Sequence, residues 1–319
     1  MAKKNLILKY PVGSKLYGTD TLTSDTDYSG VFVADESYYL GMFSVDQVDL
    51  SEVVKRVDGK NDSSSIDYTV YNIKKFIRLA MDNNPNVLEQ LFISKEKLLY
   101  YTETGQILLD NREIFPHQGL YQRFTGYAIS QKKKMVTKTT HFNILQDVVK
   151  YLKTKENYRD KLETLEVEMK TKFNLHIDEI VLDHNYIQRN FVVGDSRVPL
   201  DFTIKKAIEV LGNRIRIFSN RQELITRYGY DCKFASHLIR LLDEGIELLE
   251  TGKIEFPLRN ASLLKDIKEG KYSLEEIFIK AEQLEKEVAL KLEKTKLPKY
   301  PNVEEINSLT IKLIKGGLK

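Results

Sequence analysis

The hydrophobic positions in the first third of the chain change from a strand-like pattern to a helical one. Residues 5–10 and 28–34 are short runs of apolar, β-branched and aromatic side chains, which predict two strands. Residues 64–70 alternate apolar and polar side chains and predict a third strand with one buried face. Residues 71–83 then repeat apolar side chains at helical spacing, and this helix should end before Pro85.

After about residue 103 the pattern is almost entirely helical. Amphipathic periodicity predicts helices at 149–170, 231–250, 273–294 and 302–315. Residues 181–202 are less regular and contain a Gly-Asp-Ser turn, which predicts a small hairpin or loop. The sequence contains no internal repeat and no low-complexity linker.

The composition is typical of a globular chain. Of the 319 residues, 42% are apolar and 30% are charged, which suffices for one large domain or two moderate ones. The N-terminal apolar run is too short for a signal sequence and no stretch is apolar enough to span a bilayer, so we expect a cytoplasmic protein. The single cysteine, Cys232, excludes an intrachain disulfide and a thiolate zinc cage and predicts a buried, inert thiol.

The net charge of +3 does not by itself identify a nucleic-acid-binding protein. Two local clusters are basic: residues 130–141 carry four lysines and no acid, and residues 205–227 carry mainly lysine and arginine among their charged positions. Taken singly, each cluster is explained slightly better as a solvated helix face than as a contact for nucleic acid. The clusters therefore support nucleic-acid binding only weakly.

Asp25 and Asp27 lie in the stretch GSKLYGTDTLTSDTDYSG and fit two different metal sites. Counted forward to Glu36, their spacing matches the twelve-residue calcium loop of an EF-hand. Such a loop needs a helix on each side, whereas Pro11 and two glycines precede it and a β-branched run follows it. The flanking residues therefore disfavour a calcium loop.

The alternative is a metal site that serves a nucleotide. Alternation along a strand would place Asp25 and Asp27 on one face about 6 to 7 Å apart, a span that can share metal ions about 3.5 to 4 Å from each other. Asp67, the isolated acid of the third predicted strand, is the candidate for a third carboxylate. Two magnesium ions held in this way would position a nucleoside triphosphate, activate an attacking hydroxyl and stabilise the departing pyrophosphate.

Gly13 and Ser14 follow the first predicted strand directly and are candidates for holding the phosphates. The glycine allows the chain to turn and to approach a ligand closely. The serine can offer its hydroxyl and its amide to an anion. The pair becomes specific only in combination with Asp25 and Asp27, which lie eleven and thirteen residues beyond Ser14.

This combination resembles a known signature. Gly13-Ser14, ten further residues and Asp25-Thr26-Asp27-Tyr28 resemble the signature of the DNA polymerase β-like nucleotidyltransferases, and GSKLYGTDTLTSDTDYSGVFV is similar to predicted nucleotidyltransferases of bacteria and their phages. The strings DNNPNVLEQLF, GYDCKFASHLIRLLDEGIELLETGKI and LPKYPNVEEIN resemble further motifs of that family. Residues from about 130 to 220 do not match and look like an enlarged insertion.

The resemblance implies an α+β fold. Residues 1–115 would form a catalytic core with a small mixed sheet that carries the aspartates. Residues 116–319 would form a mostly helical domain that closes the other wall of the nucleotide cleft and contains the insertion at about 130–220.

The resemblance also implies the site and the reaction. Asp25, Asp27 and Asp67 would be catalytic and would bind two Mg²⁺ ions, with Mn²⁺ as a substitute, while Gly13 and Ser14 would hold the nucleoside triphosphate. The enzyme would move a nucleoside monophosphate to an acceptor hydroxyl and release pyrophosphate. Asp67, on the acceptor side of the metals, would help to deprotonate that hydroxyl.

Lys233, His237 and Arg240 follow i, i+4, i+7 spacing on the predicted helix 231–250 and form a polar stripe. If the stripe faces a cleft, its donors suit the β- and γ-phosphates; otherwise it is a solvated face with one histidine. Because the helical motif of the resemblance includes these residues, we assign phosphate binding to Lys233 and His237, with Arg240 as a further candidate.

The leading prediction is therefore a magnesium-dependent nucleotidyltransferase. The main alternative is a catalytically inactive relative that holds RNA or DNA with its basic clusters, and a calcium sensor is the third. RNA, a protein side chain and a small hydroxyl compound all fit as the acceptor, and the basic clusters favour RNA slightly. We expect no membrane partner.

Overall fold

The computed structural model describes residues 5–21, 24–54, 65–183, 186–217 and 228–318. The chain divides into two compact units, which are residues 1–130 with 236–319 (unit 1) and residues 131–235 (unit 2). Unit 2 contains almost all of the predicted insertion at 130–220. The domain boundary predicted at residue 115 stays a prediction.

The regular elements are numbered in chain order. The strands are β1 (Leu6–Val12), β2 (Thr26–Phe32), β3 (Gln47–Asp49), β4 (Ile66–Asn72), β5 (Tyr100–Tyr101), β6 (Ile177–Asp183), β7 (Tyr186–Val193) and β8 (Ser196–Pro199). The helices are α1 (Ser14–Tyr17), α2 (Ser37–Leu40), α3 (Ile73–Met81), α4 (Pro85–Leu88), α5 (Glu103–Asp110), α6 (Leu120–Leu152), α7 (Glu166–Phe173), α8 (Ile204–Ile217), α9 (Cys232–Thr251), α10 (Ala261–Lys268), α11 (Leu274–Lys294) and α12 (Val303–Gly317). Within these ranges, no helix combines the length and the apolar composition that a membrane span requires.

Unit 1 is built on a mixed sheet, whose described strands follow the order β3-β4-β2-β1-β5. β2 and β4 are parallel, whereas the other neighbouring strands are antiparallel. The three strands predicted from the sequence are confirmed as β1, β2 and β4, each end lying within two residues of its predicted position. With helices such as α3, α5 and α12 packed in the same unit, the predicted α+β class is confirmed.

The two faces of this sheet have different chemistry. Phe32, Tyr68 and Val70 belong to one buried hydrophobic cluster, so β2 and β4 present mainly apolar side chains to that face. Side chains of a strand alternate between faces, and Asp27 and Asp67 therefore point to the opposite face. The hydrophobic cluster thus determines which face of the sheet carries the acids.

Unit 2 contains an antiparallel sheet, whose described strands follow the order β6-β7-β8. Phe191 and Val198 from this sheet, with Leu145 of α6 and Leu211 of α8, belong to one buried core. The three strands occupy most of residues 181–202, the segment predicted as a small hairpin or loop. The sequence thus indicated a non-helical segment here, but a hairpin has two strands and the sheet has a third.

The single helix predicted at 149–170 is wrong. α6 ends at Leu152 and α7 begins only at Glu166. Between them, the Thr154 hydroxyl donates to the Tyr151 carbonyl at 2.7 Å, and the Asn157 amide donates to Asp160 Oδ1 at 2.7 Å. Short polar side chains that bond nearby groups in this way compete with the helical hydrogen bonds and end the helix.

A buried ion network joins three elements of unit 1. Arg240 Nη1 on α9 donates to Glu89 Oε2 at 2.6 Å and to both oxygens of Glu244 at 2.9 and 3.0 Å. The Tyr17 hydroxyl at the end of α1 donates to the other oxygen of Glu89 at 2.7 Å, and the Arg240 guanidinium lies 4.6 Å from the Tyr17 ring centre. The network therefore fixes α1 and the turn after α4 to α9.

Two carboxylates share a single arginine in this network, and all three side chains are almost completely buried. Burial raises the pKa of Glu244 to about 8, an effect that the charge of Arg240 opposes and the charge of Glu89 reinforces. The neighbouring carboxylates raise the pKa of Arg240 although its burial acts in the opposite direction. Burial therefore favours the protonated form of Glu244.

Glu244→Gln should flatten the pH dependence of stability. Because the pKa of Glu244 is higher in the folded state than its ordinary value of 4.5, its contribution to stability is complete below that value and is lost as pH rises through 8. Between about pH 5 and 8, the free energy of unfolding of the wild type should fall relative to the variant by up to about 1.4 kcal/mol per pH unit.

Urea unfolding at several pH values measures this difference. Glu282→Gln, an exposed site on α11, is the matched control and should keep the wild-type profile. Parallel profiles for Glu244→Gln and the wild type would contradict the prediction.

Candidate active site

The turn between β1 and α1 brings Gly13 against the carboxylate of Asp27. Gly13 has φ +67° and ψ −143°, a conformation that side chains other than glycine rarely adopt. A Cβ atom at this position would lie 2.7 Å from Asp27 Oδ2. Both the backbone conformation and the close approach therefore require glycine, and Ser14 follows as the first residue of α1.

The register of the parallel strands β2 and β4 places Asp27 directly opposite Asp67. Neighbouring strands lie about 4.8 Å apart, so the two side chains point side by side to the same face. Asp67 is exposed and Asp27 is half-buried. Asp25 lies one residue before β2, outside the strand, and is exposed.

These acids could hold a divalent cation whose coordination shell is completed by the phosphates of a substrate. Among the described residues, no group of three or more His, Cys, Asp and Glu side chains stands assembled around one point. Magnesium is usually held by one or two carboxylates together with substrate phosphates and water. The paired oxygens of Asp27 and Asp67, with Asp25 two residues from Asp27, are hard ligands of that kind.

A layer of hydrogen bonds lies on the same face of the sheet as Asp27. The hydroxyls of Ser29 and Tyr10 donate to Gln90 Oε1 at 3.0 and 2.9 Å. Burial raises the pKa of Tyr10 above its ordinary value, although the hydrogen bond with Ser29 acts in the opposite direction, so the hydroxyl stays protonated. The layer attaches β1 and β2 to the turn that follows α4.

The sequence reasoning missed Gln90 and the role of Tyr10. Gln90 lies in the quoted string DNNPNVLEQLF, and its polar character within an apolar run was the available signal. Lys15, whose ammonium group donates to the Thr26 hydroxyl, was also not assigned to the site. This bond links α1 to Thr26, the residue between Asp25 and Asp27 in the chain.

Lys233 and His237 both lie on α9, four residues apart. Asp231 Oδ1 accepts from the backbone N–H groups of Lys233 and Phe234 at 3.0 and 3.3 Å, so it caps the start of this helix. The Lys233 side chain is exposed and His237 is partly exposed. Their assignment to phosphate binding stays a prediction.

The phosphate role predicted for Arg240 is wrong, because its guanidinium is buried and paired with Glu89 and Glu244. The inert thiol predicted for Cys232 agrees with its burial, which raises its pKa to about 11. In the second basic cluster, Lys206 and Arg214 form ion pairs with neighbouring acids, and residues 218–227, with Arg221 and Arg227, lie outside the described residues.

The match to a family model agrees with the resemblance seen in the sequence. Residues 2–203 match the RlaP family, described as the RNA repair pathway DNA polymerase beta family. An uncharacterized 38.9 kDa protein of the nrdC-mobD intergenic region of Enterobacteria phage T4 is 26% identical in a 288-residue alignment that covers 83% of each chain. A nucleotidyltransferase-like protein of Exiguobacterium sibiricum, known from its crystal structure, is 10% identical with a TM-score of 0.26, over 99% of this chain and 76% of that one.

Gly13→Ala should destabilise the protein by about 1–3 kcal/mol, because alanine strains the backbone at positive φ and its methyl group collides with the Asp27 carboxylate. The midpoint of urea unfolding measures the loss. Gly126→Ala is the matched control: this exposed helical glycine has no atom within 4 Å of the added Cβ. The control should gain about 0.5–1 kcal/mol, and equal losses in the two variants would contradict the proposed turn geometry.

Proposed function

The chain belongs to the RlaP family of the DNA polymerase beta type, and on that premise we propose that it is a magnesium-dependent nucleotidyltransferase. The observation that carries this proposal is the in-register pairing of Asp27 and Asp67 beside Gly13. In the proposed reaction, a nucleoside monophosphate moves from a triphosphate to an acceptor hydroxyl, and pyrophosphate is released.

The residues around the turn would bind the triphosphate. Because Gly13 has no side chain, the Asp27 carboxylate lies against the backbone of the turn that would hold the triphosphate. Ser14 would donate its hydroxyl and its N–H to phosphate oxygens. Lys233 and His237 would add a compact positive charge and a further donor for the β- and γ-phosphates.

In the reaction, the acceptor oxygen attacks the α-phosphorus and forms a new P–O bond. The bond from the α-phosphorus to the bridging oxygen breaks, and pyrophosphate leaves with the electron pair. Asp67, the more exposed of the two paired acids, takes the proton of the acceptor hydroxyl. Mg²⁺ or Mn²⁺, held by Asp25, Asp27 and Asp67, would supply a Lewis acid that neutralises charge on the transferred group.

The distribution of charge favours RNA as the acceptor. Unit 2 carries 20 lysines and arginines against 14 acids, a net charge of +6, whereas unit 1 carries 29 against 32, a net charge of −3. The positive net charge of unit 2 attracts a polyanion such as RNA, whereas the negative net charge of unit 1 repels it. The RNA repair pathway in the family description is consistent with the same acceptor.

Asp27→Asn and Asp67→Asn should each lower nucleotide transfer at least about a hundredfold, because each removes a charge from the paired acids. The protein is incubated with each α-labelled triphosphate, Mg²⁺ or Mn²⁺ and a cell extract, and label is followed into RNA, protein and small molecules. Asp110→Asn, at the exposed end of α5, is the matched control and should retain full transfer.

Full transfer by Asp27→Asn would overturn the proposed mechanism. The basic charge of unit 2 also fits an inactive relative that only binds nucleic acid. That alternative would be favoured by salt-dependent nucleic-acid binding that persists without divalent metal and without Asp25 and Asp27, in a wild type that transfers no label.

Lys233→Gln and His237→Gln should each raise KM for the triphosphate about tenfold, since each removes a donor to the phosphates. The turnover number should change less, because these contacts form before the transition state. Steady-state kinetics separates the two parameters. Lys286→Gln, an exposed lysine of α11, is the control, and an equal KM in all variants would remove both residues from the proposed site.

A further inference from the structure

A cavity in unit 1 is formed by elements that do not carry the aspartates. It has a volume of about 690 Å³ and lies between the end of α3, the start of α6 and the turn that follows α11. Its lining includes Asp82, Tyr121, Arg123, Lys299 and Tyr300, and none of its lining residues belongs to β1, β2 or β4. Cavities of about 300–1,000 Å³ are typical of small-molecule sites.

The frame of this cavity is held by hydrogen bonds. The His117 ring bonds to the Met81 carbonyl through Nε2 at 3.0 Å and accepts from the Gly119 N–H through Nδ1 at 3.1 Å. Gln118 donates from its side chain to the Leu297 carbonyl and from its backbone to the Pro298 carbonyl, at 3.0 and 2.9 Å. These hydrogen bonds hold the wall of the cavity in place, so a ligand would bind without first ordering it.

The remaining polar groups of the cavity are available to a ligand. Arg123 and Lys299 are both exposed, and neither forms an ion pair within the part of the chain that the structure describes. Lys299 Nζ lies 5.4 Å from the ring centre of Tyr300, which is 70% exposed. The cavity thus combines two cations, an accessible aromatic face and the carboxylate of Asp82.

These groups match the parts of a nucleotide. Arginine and lysine bind a phosphate, a tyrosine ring stacks on a base, and a carboxylate accepts from an exocyclic amine. We propose that this cavity, named here the Tyr300 cavity, is a second binding site for a nucleoside phosphate. It serves binding only, and it does not depend on the proposed transfer reaction.

Isothermal titration of the full chain with adenosine 5′-monophosphate, in EDTA and low salt, tests the proposal. A chelator removes metal-dependent binding at the aspartates, so the result is independent of the transfer reaction. The double variant Arg123→Gln, Lys299→Gln should weaken binding at least about tenfold through the lost charge-assisted bonds. Lys312→Gln, an exposed lysine of α12, is the control and should bind like the wild type.

A second pair of variants tests stacking without a change of charge. Tyr300→Ala should weaken binding at least about fivefold, whereas Tyr300→Phe keeps the ring and should retain the wild-type affinity. A 5′-phosphorylated tetranucleotide, titrated in parallel, separates a free nucleotide from the end of a strand as the source of the same groups. The proposal is supported if the wild type binds either probe more tightly than the Arg123→Gln, Lys299→Gln double variant and the Tyr300→Ala variant do.

Three results would overturn it. They are the absence of saturable binding of both probes to the wild type, equal affinities in the double variant and in Lys312→Gln, and inorganic phosphate binding as tightly as adenosine 5′-monophosphate. The last result would identify an anion site that does not recognise the nucleoside.

Discussion

The ion pair between Glu89 and Arg240 is the interaction on which the geometry of unit 1 depends. It connects α9 to the turn after α4, and Glu89 also holds Tyr17 at the end of α1. Because α1 has only four residues and follows Gly13 directly, whatever fixes Tyr17 also limits the movement of the glycine turn. Removing one partner of a buried ion pair lowers the free energy of unfolding by about 3–5 kcal/mol. The glycine turn is therefore anchored, through Tyr17, to a contact that is costly to break.

The second constraint is the register of β2 and β4. Tyr68 and Val70 are buried beside Phe32, and alternation then sends Asp67 to the other face. A slip of one residue would expose the apolar side chains and bury the acid, which makes alternative registers costly. The pairing of Asp67 with Asp27 is therefore a consequence of hydrophobic packing, and no direct attraction between the two acids is needed.

The spacing of apolar residues along the sequence predicted the strands and helices whose own period is clear. The three central strands and the helix at 231–250 have clear periods in the sequence, and the structure confirms them. The end of α6 was missed because charged positions continue the helical period past Leu152, while the competing bonds come from single polar side chains such as Thr154. The error for Arg240 has a different cause: Glu89 is 151 residues away, and no spacing along one helix reveals such a partner.

The position of Asp25 separates it from the other two acids. Asp27 and Asp67 are held by strand pairing, whereas Asp25 lies one residue before β2. Lys15 bonds to Thr26, the residue between the two aspartates of the signature, and so links α1 to the start of β2. In the proposed reaction, hydrophobic packing and strand pairing therefore position two of the three carboxylates before any substrate phosphate enters, and Asp25 is the one that lies outside the strand.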